Sequence, residues 1–294
     1  MSKLLFEPNM DKNDPFLRQS KLSTAKQAIL TKRLRGELKG SQAIPRSASS
    51  GPAPLSFAQQ RLWFLDQLEP GSPAYNIPAA VRLRGPLNVT ALEKSVNEVV
   101  RRHESLRTTF AAKDGQPVQV VSPYHPFTLS LVDLQALSET EREAKVQRLA
   151  NEEAQRPFNL AQGPLIRTTL LQLNEEEHVF LLTIHHIVSD GWSIGIFIQE
   201  MTALYEAFST GKPSPLPELP VQYADFTYWQ RDWLRGEVLE EQLSYWKQQL
   251  AGVSVLRLPI DRPRLAVQTF RGAQETLILP KSLTEALTAA SAQA

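Results

Sequence analysis

His185-His186-Ile187-Val188-Ser189-Asp190-Gly191 places two imidazoles and a carboxylate at the abrupt end of the apolar run Val179-Phe180-Leu181-Leu182-Thr183-Ile184. That run is short, rich in strand formers and preceded by the polar turn Asn174-Glu175-Glu176-Glu177-His178, which predicts a buried strand. Two-residue alternation puts Phe180, Leu182, Ile184 and His186 on one face and Val179, Leu181, Thr183 and His185 on the other, so the histidines point opposite ways. Beyond Gly191 the period changes. Ile194, Phe197, Ile198, Met201, Leu204, Tyr205 and Phe208 recur at helical spacing until Gly211-Lys212-Pro213 stops them. The reading is a strand, a tight turn and an amphipathic helix. The partial positive charge at the helix N-terminus biases a nearby imidazole toward its neutral, proton-accepting form.

Two other readings compete with catalysis. Metal ligation is set aside, because adjacent strand residues face opposite sides, the chain has no cysteine and no HExxH or similar spacing occurs. A buried, purely structural histidine pair is the other, and three further segments weigh against it.

Those segments appear in a fixed order along the chain. Leu55-Ser56-Phe57-Ala58-Gln59-Gln60-Arg61-Leu62-Trp63-Phe64-Leu65 comes first and Arg102-His103-Glu104-Ser105-Leu106-Arg107-Thr108-Thr109-Phe110 second. After the histidines comes Tyr223-Ala224-Asp225-Phe226-Thr227-Tyr228-Trp229. Together with HHxxxDG and Trp192-Ser193, they resemble the ordered motifs of condensation domains of nonribosomal peptide synthetases. The resemblance runs from about Pro54 to the C-terminus, and the family's later motifs are absent. On that resemblance the chain stops mid-domain, inside Lys281-Ser282-Leu283-Thr284-Glu285-Ala286-Leu287.

With 42% hydrophobic and 21% charged residues, the 294-residue chain has the composition of a globular protein able to bury a substantial core. A net charge of +1 gives no general case for nucleic acid. Zero cysteines exclude disulfides, a thiolate nucleophile and cysteine-ligated zinc. The apolar start is too brief for a signal peptide and no run is long enough to span a bilayer, so a cytoplasmic location without membrane contact is expected.

Residues 1–50 hold 10 Lys and Arg against 4 Asp and Glu. Leu22, Ala25, Ile29, Leu30, Leu34 and Leu38 lie there at helical spacing, so residues 1–40 read as a basic helical or docking segment, packing on its own domain or on an upstream synthase subunit. Residues 41–54 read as a flexible linker. The resemblance then implies that residues 55–230 form the first half-domain, and 231–294 a connecting helix with the start of a second half. Within the first half, residues 79–84 alternate as a strand, residues 166–171 form the strand preceding the histidine strand, and Asn88 caps a helix stapled by Leu87 and Leu92. Asp114-Gly115 marks a hairpin, and Ser138-Glu139-Thr140-Glu141 opens a helix that ends before Pro157. The fold class is α/β.

The resemblance implies a chloramphenicol-acetyltransferase-like mixed-sheet sandwich, with this chain holding the first of two pseudo-symmetric halves and the beginning of the next. It implies amide formation between an upstream carrier-bound acyl or peptidyl thioester and the α-amine of a downstream carrier-bound aminoacyl thioester. No cofactor is bound intrinsically; the substrates hang from the phosphopantetheine of carrier proteins, beside an adenylation domain. The carry-over gives the catalytic role to His186 and places Arg107 and Trp229 in core support or substrate contact. It also implies a salt bridge between Asp190 and Arg102 that holds the turn. His185 orients the turn or fills the core, and Gly191 permits a tight turn and close approach of a pantetheine arm. His103 reads as a packed histidine, and His125 and His178 as incidental. The intact histidines argue against a heterocyclising relative, and Trp192-Ser193-Ile194-Gly195 continues differently from epimerising ones. A coenzyme A-dependent acyltransferase and a non-catalytic docking or scaffold fragment are the alternatives.

Overall fold

A computed structural model describes residues 43–47, 51–263 and 277–291. The basic segment expected at 1–40 lies outside the described residues. The chain divides into two compact units, residues 1–249 and 250–294. In the first unit the strands are β1 (Ala53–Pro54), β2 (Asn76–Arg84), β3 (Thr108–Lys113), β4 (Gln116–Val121), β5 (Ser130–Asp133), β6 (Ile166–Gln172) and β7 (Glu177–His185). Its helices are α1 (Phe57–Leu68), α2 (Val89–Arg102), α3 (Glu139–Gln155), α4 (Gly191–Ser209), α5 (Tyr223–Trp233) and α6 (Gly236–Gln249), with a 3-10 turn at Glu104–Arg107. The second unit contributes α7 (Lys281–Ser291).

Among the described residues the strands form two sheets, ordered β2-β7-β6-β5 and β1-β4-β3. In the larger, β7 runs antiparallel to both neighbours, with Asn76 opposite His185 and Ile166 opposite Ile184, while β5 joins β6 in parallel. β7 is central, and from His178 to His185 it is buried at every position. Both sheet faces are covered, which explains why its sequence is a near-continuous apolar run. Phe180, Leu182 and Ile184 join Val96, Val99, Phe197 and Leu204 of α2 and α4 in one core. Val179 and Leu181 meet Val146 and Leu149 of α3 in another.

Local chemistry sets the element ends. Asn88 Oδ1 accepts from Ala91 N–H at 3.0 Å, and Ser138 and Glu141 form the capping box of α3, which stops at Gln155. Asp114 and Gly115 both adopt positive φ, 51° and 74°, as a two-residue hairpin of the mirror-image type requires. Gly211, at φ 72°, follows the end of α4. Two readings change. His178 does not lie in a polar turn: the turn is confined to 174–176, so His178 falls inside β7, 3% exposed, opposite Leu83 and Gln172. Ala53 and Pro54, read as linker, pair with Gln119 and Val118 of β4.

Candidate active site

β7 delivers the two histidines and ends at the first. His185 is 3% exposed and packs against the rings of Tyr75 and Phe158, with centroids 6.5 and 6.0 Å away. His186 begins the turn, its N–H bonded to Tyr75 O at 2.8 Å, and its side chain is exposed. The expected opposite orientation is what the backbone produces.

Their hydrogen bonds fix the ring protons. His186 Nδ1 lies 2.9 Å from the Ser189 carbonyl, which only accepts, so Nδ1 carries the proton. In the neutral ring Nε2 then holds a free lone pair, with no hydrogen-bond partner among the described residues. His185 is the reverse: its Nδ1 accepts from Ile187 N–H at 3.1 Å, so a neutral His185 carries its proton on Nε2. Burial, with the neighbouring His186 charge second, pushes His185 from its ordinary 6.5 down to about 4. A proton on Nδ1 would also face the Ile187 donor.

Asp190 does not reach Arg102. It caps α4, accepting from Ser193 N–H at 2.8 Å and Ser193 Oγ at 2.7 Å, and the Ser193 hydroxyl is the main cause of its lowered pKa. Arg102, 3% exposed, pairs instead with Glu200: Nε and Nη2 reach the carboxylate at 3.1 and 3.2 Å, and Nη1 donates to Pro217 O at 2.7 Å. The expected bridge is corrected for a physical reason: Asp190 is committed to the helix end, whereas Glu200 projects from mid-helix toward the end of α2. His103, expected to be merely packed, sets Nε2 2.9 Å from the same Glu200 carboxylate. Burial raises the Glu200 pKa, but bonds from Arg102 and His103 outweigh it and hold the group below its ordinary value.

The other motif residues surround this centre. Gly191 is not demanded by the turn: its φ is not left-handed, and an added Cβ would meet nothing within 4 Å. Arg107 donates to Ser122 O and pairs with Glu104, bracing the 3-10 turn. Trp229 stacks on Trp233 at 5.4 Å, in a ring series with Phe226 and Tyr223. The first motif reaches the turn as well: Ser56 and Gln59 form the capping box of α1, and Gln59 Nε2 lies 3.5 Å from Ile187 O. Ser56 Oγ also meets the Tyr223 hydroxyl at 3.0 Å. Trp192 stands 78% exposed on the first turn of α4. Sequence reasoning missed Glu200, Tyr75 and Phe158. The one signal for Glu200 is a carboxylate three residues after the buried Phe197, on the apolar stripe.

The family model described as "Condensation domain" matches residues 49–294. The chain belongs to the condensation-domain family. It is 50% identical over 234 residues to chondramide synthase cmdD of Chondromyces crocatus, covering 80% of this chain and 6% of that protein. It is 46% identical over 270 residues to phosphinothricin tripeptide synthetase PhsC of Streptomyces viridochromogenes, covering 90% of this chain and 25% of that one. The X-domain solved in complex with OxyB from teicoplanin biosynthesis superposes with a TM-score of 0.69 at 32% identity, covering 79% of this chain and 50% of that chain. The starter condensation domain of rhizomide synthetase RzmA superposes with a TM-score of 0.63 at 24% identity, covering 70% and 49%, and shares the fold. This condensation-domain chain therefore has the chloramphenicol-acetyltransferase-like mixed α/β fold and spans about half the length of those solved chains. Among its described residues no helix is long and apolar enough to cross a membrane.

Proposed function

We propose that this chain supplies the histidine-bearing part of a condensation site that forms an amide bond between two carrier-bound thioesters. The observation that carries the reading is the exposed His186 ring, whose Nδ1–H is committed to Ser189 O and whose Nε2 is left as an acceptor. An amine attacking a thioester carbonyl must present its lone pair while its N–H bonds have an acceptor; Nε2 is such an acceptor. The C–N bond forms as the C–S bond breaks, the amine proton passes to Nε2, and the departing sulfur takes it up as a thiol. General-base assistance of this kind contributes ~10²–10⁴-fold, and orienting the two reactants contributes more, with effective molarities on the order of 10⁵–10⁸ M.

The remaining motif residues have supporting roles in this reading. His185 is a neutral packing residue, Asp190 holds the end of α4, and Arg102, Arg107 and Trp229 stiffen the frame. Gly191 leaves clearance for a phosphopantetheine arm, since a Cβ there would project into open space. The partners are upstream and downstream carrier proteins and a neighbouring adenylation domain, in the cytoplasm. A docking role is the second reading, favoured by one observation: the similar X-domain was solved in complex with another protein, OxyB. Amide formation between two loaded carrier proteins, run in parallel with acyl-coenzyme A as donor, separates the readings. Product from the carrier pair alone supports condensation, product from both donors supports the coenzyme A-dependent alternative, and none from either supports docking.

A further inference from the structure

We propose that Glu200 is a positioning residue for the histidine turn, fixing α4 through Arg102 and His103; only its effect on rate rests on the condensation reading. Ser193, Phe197 and Glu200 fall at i, i+4 and i+7 on α4, one face of the helix. Near the turn that face is not closely packed. A cavity of about 90 Å³ separates His103, Ser105 and Leu106 from Ser189, Ser193 and Phe197. One turn beyond it, the Glu200 carboxylate takes two bonds from the buried Arg102, at 3.1 and 3.2 Å, and a third from His103 at 2.9 Å. The anchor is itself braced: Gln222 Nε2 donates to Arg102 O at 2.8 Å, and Gln222 Oε1 accepts from Glu104 N–H at 3.1 Å.

The consequence reaches His186 through the backbone. Phe197, Met201 and Leu204 hold α4 in the core, and where side chains do not fill the space between its first turns and the 3-10 turn, the polar tie at Glu200 adds the directional constraint on helix placement. Ser189 immediately precedes the capped end of α4, and its carbonyl selects the His186 tautomer. Hydrogen bonds weaken steeply once their angle is lost, so a shifted α4 frees the ring to put its proton on Nε2. Nε2 then donates where the proposed chemistry needs an acceptor.

The test uses Glu200→Gln in the full protein, with the His186 tautomer read from the NMR chemical shifts of its two ring nitrogens at a pH where the ring is neutral, and with His125, which is exposed, as internal reference. Those shifts distinguish a protonated from an unprotonated ring nitrogen and read His186 whether or not amide formation occurs. The ratio of Nδ1–H to Nε2–H tautomer in His186 is expected to fall about 2- to 30-fold, the range over which remote residues modulate a coupled site, while that of His125 is unchanged. The kcat for amide formation is expected to fall by up to about 10²-fold with KM near wild type. If Glu200→Gln fails to fold, Glu200→Asp, which keeps the charge on a shorter reach, takes its place with the same expectation in weaker form. A lowered melting temperature with a wild-type His186 tautomer ratio and wild-type kcat overturns the proposal and leaves Glu200 purely structural. A lowered His186 tautomer ratio in a variant of a protein whose wild type forms no amide supports the positioning role and contradicts the condensation reading alone.

Discussion

His185 and His186 are adjacent in sequence and hold their ring protons on opposite nitrogens: His185 Nδ1 accepts from Ile187 N–H at 3.1 Å, and His186 Nδ1 donates to Ser189 O at 2.9 Å. One ring is thereby locked into the core and the other is left with an exposed acceptor. The motif divides its labour between stability and chemistry at a single peptide bond.

That division predicts a pH dependence of stability. Burial lowers His185 from 6.5 to about 4, so the fold favours the neutral ring; its contribution is complete above pH 6.5 and is lost as pH falls toward 4. A shift of this size corresponds to roughly 3 kcal/mol. Buried His178 is shifted in the same direction by desolvation and adds to the slope. Urea unfolding at pH 7.5 and 4.5 should therefore show a smaller difference in His185→Phe than in wild type. An equal difference would remove His185 as the titrating group.

The ion cluster predicts a specific coupling. Truncating Arg102 to Ala strands the Glu200 carboxylate and should cost about 3–5 kcal/mol, the usual cost of breaking a buried pair. In double-mutant cycles, Arg102 and Glu200 should couple strongly, whereas Arg102 and Asp190 should add within about 0.5 kcal/mol. Strong coupling of Arg102 to Asp190 would contradict the pairing described above.

Asp190 should behave as a helix cap. Asp190→Ala removes the acceptor of Ser193 N–H and Oγ and should destabilise by about 1 kcal/mol, while Asp190→Asn retains most of that stability. Thermal melts of the two variants measure the difference; equal losses would mean that the carboxylate charge, and not the cap, is what matters.

Much of this arrangement is legible in the residues. The switch from two-residue to helical apolar spacing at Gly191 marks the end of β7 and the start of α4, because each element buries a face of its own period. Asn88, Ser138 and Asp114-Gly115 mark their ends and turn because capping and left-handed backbone need those residue types. The exposure of His186 does not follow from alternation, which would set it on the buried face of Phe180, Leu182 and Ile184; β7 ends at His185, and the turn carries the next ring outward. Its tautomer is not legible either, since it depends on where the Ser189 carbonyl points. Nor is the partner of Arg102: three acids, Asp190 at the cap of α4 and Glu200 and Glu206 on the helix, are available, and only the packing of α2 against α4 selects Glu200, 98 residues away. His178 belongs to β7 and not to the preceding turn because that turn is tighter than its run of polar residues suggests. The cage of Tyr75 and Phe158 around His185 comes from loops with no periodic signal.

The most direct test of the central claim is amide formation by His186→Ala in the full protein, measured with two loaded carrier proteins and with thermal unfolding as control. The rate should fall by ~10²–10⁴-fold, the span of general-base assistance, while the melting temperature stays near wild type because the side chain is exposed. A variant that folds normally and forms product at the wild-type rate would contradict the assignment of His186 as the acceptor at the reacting amine.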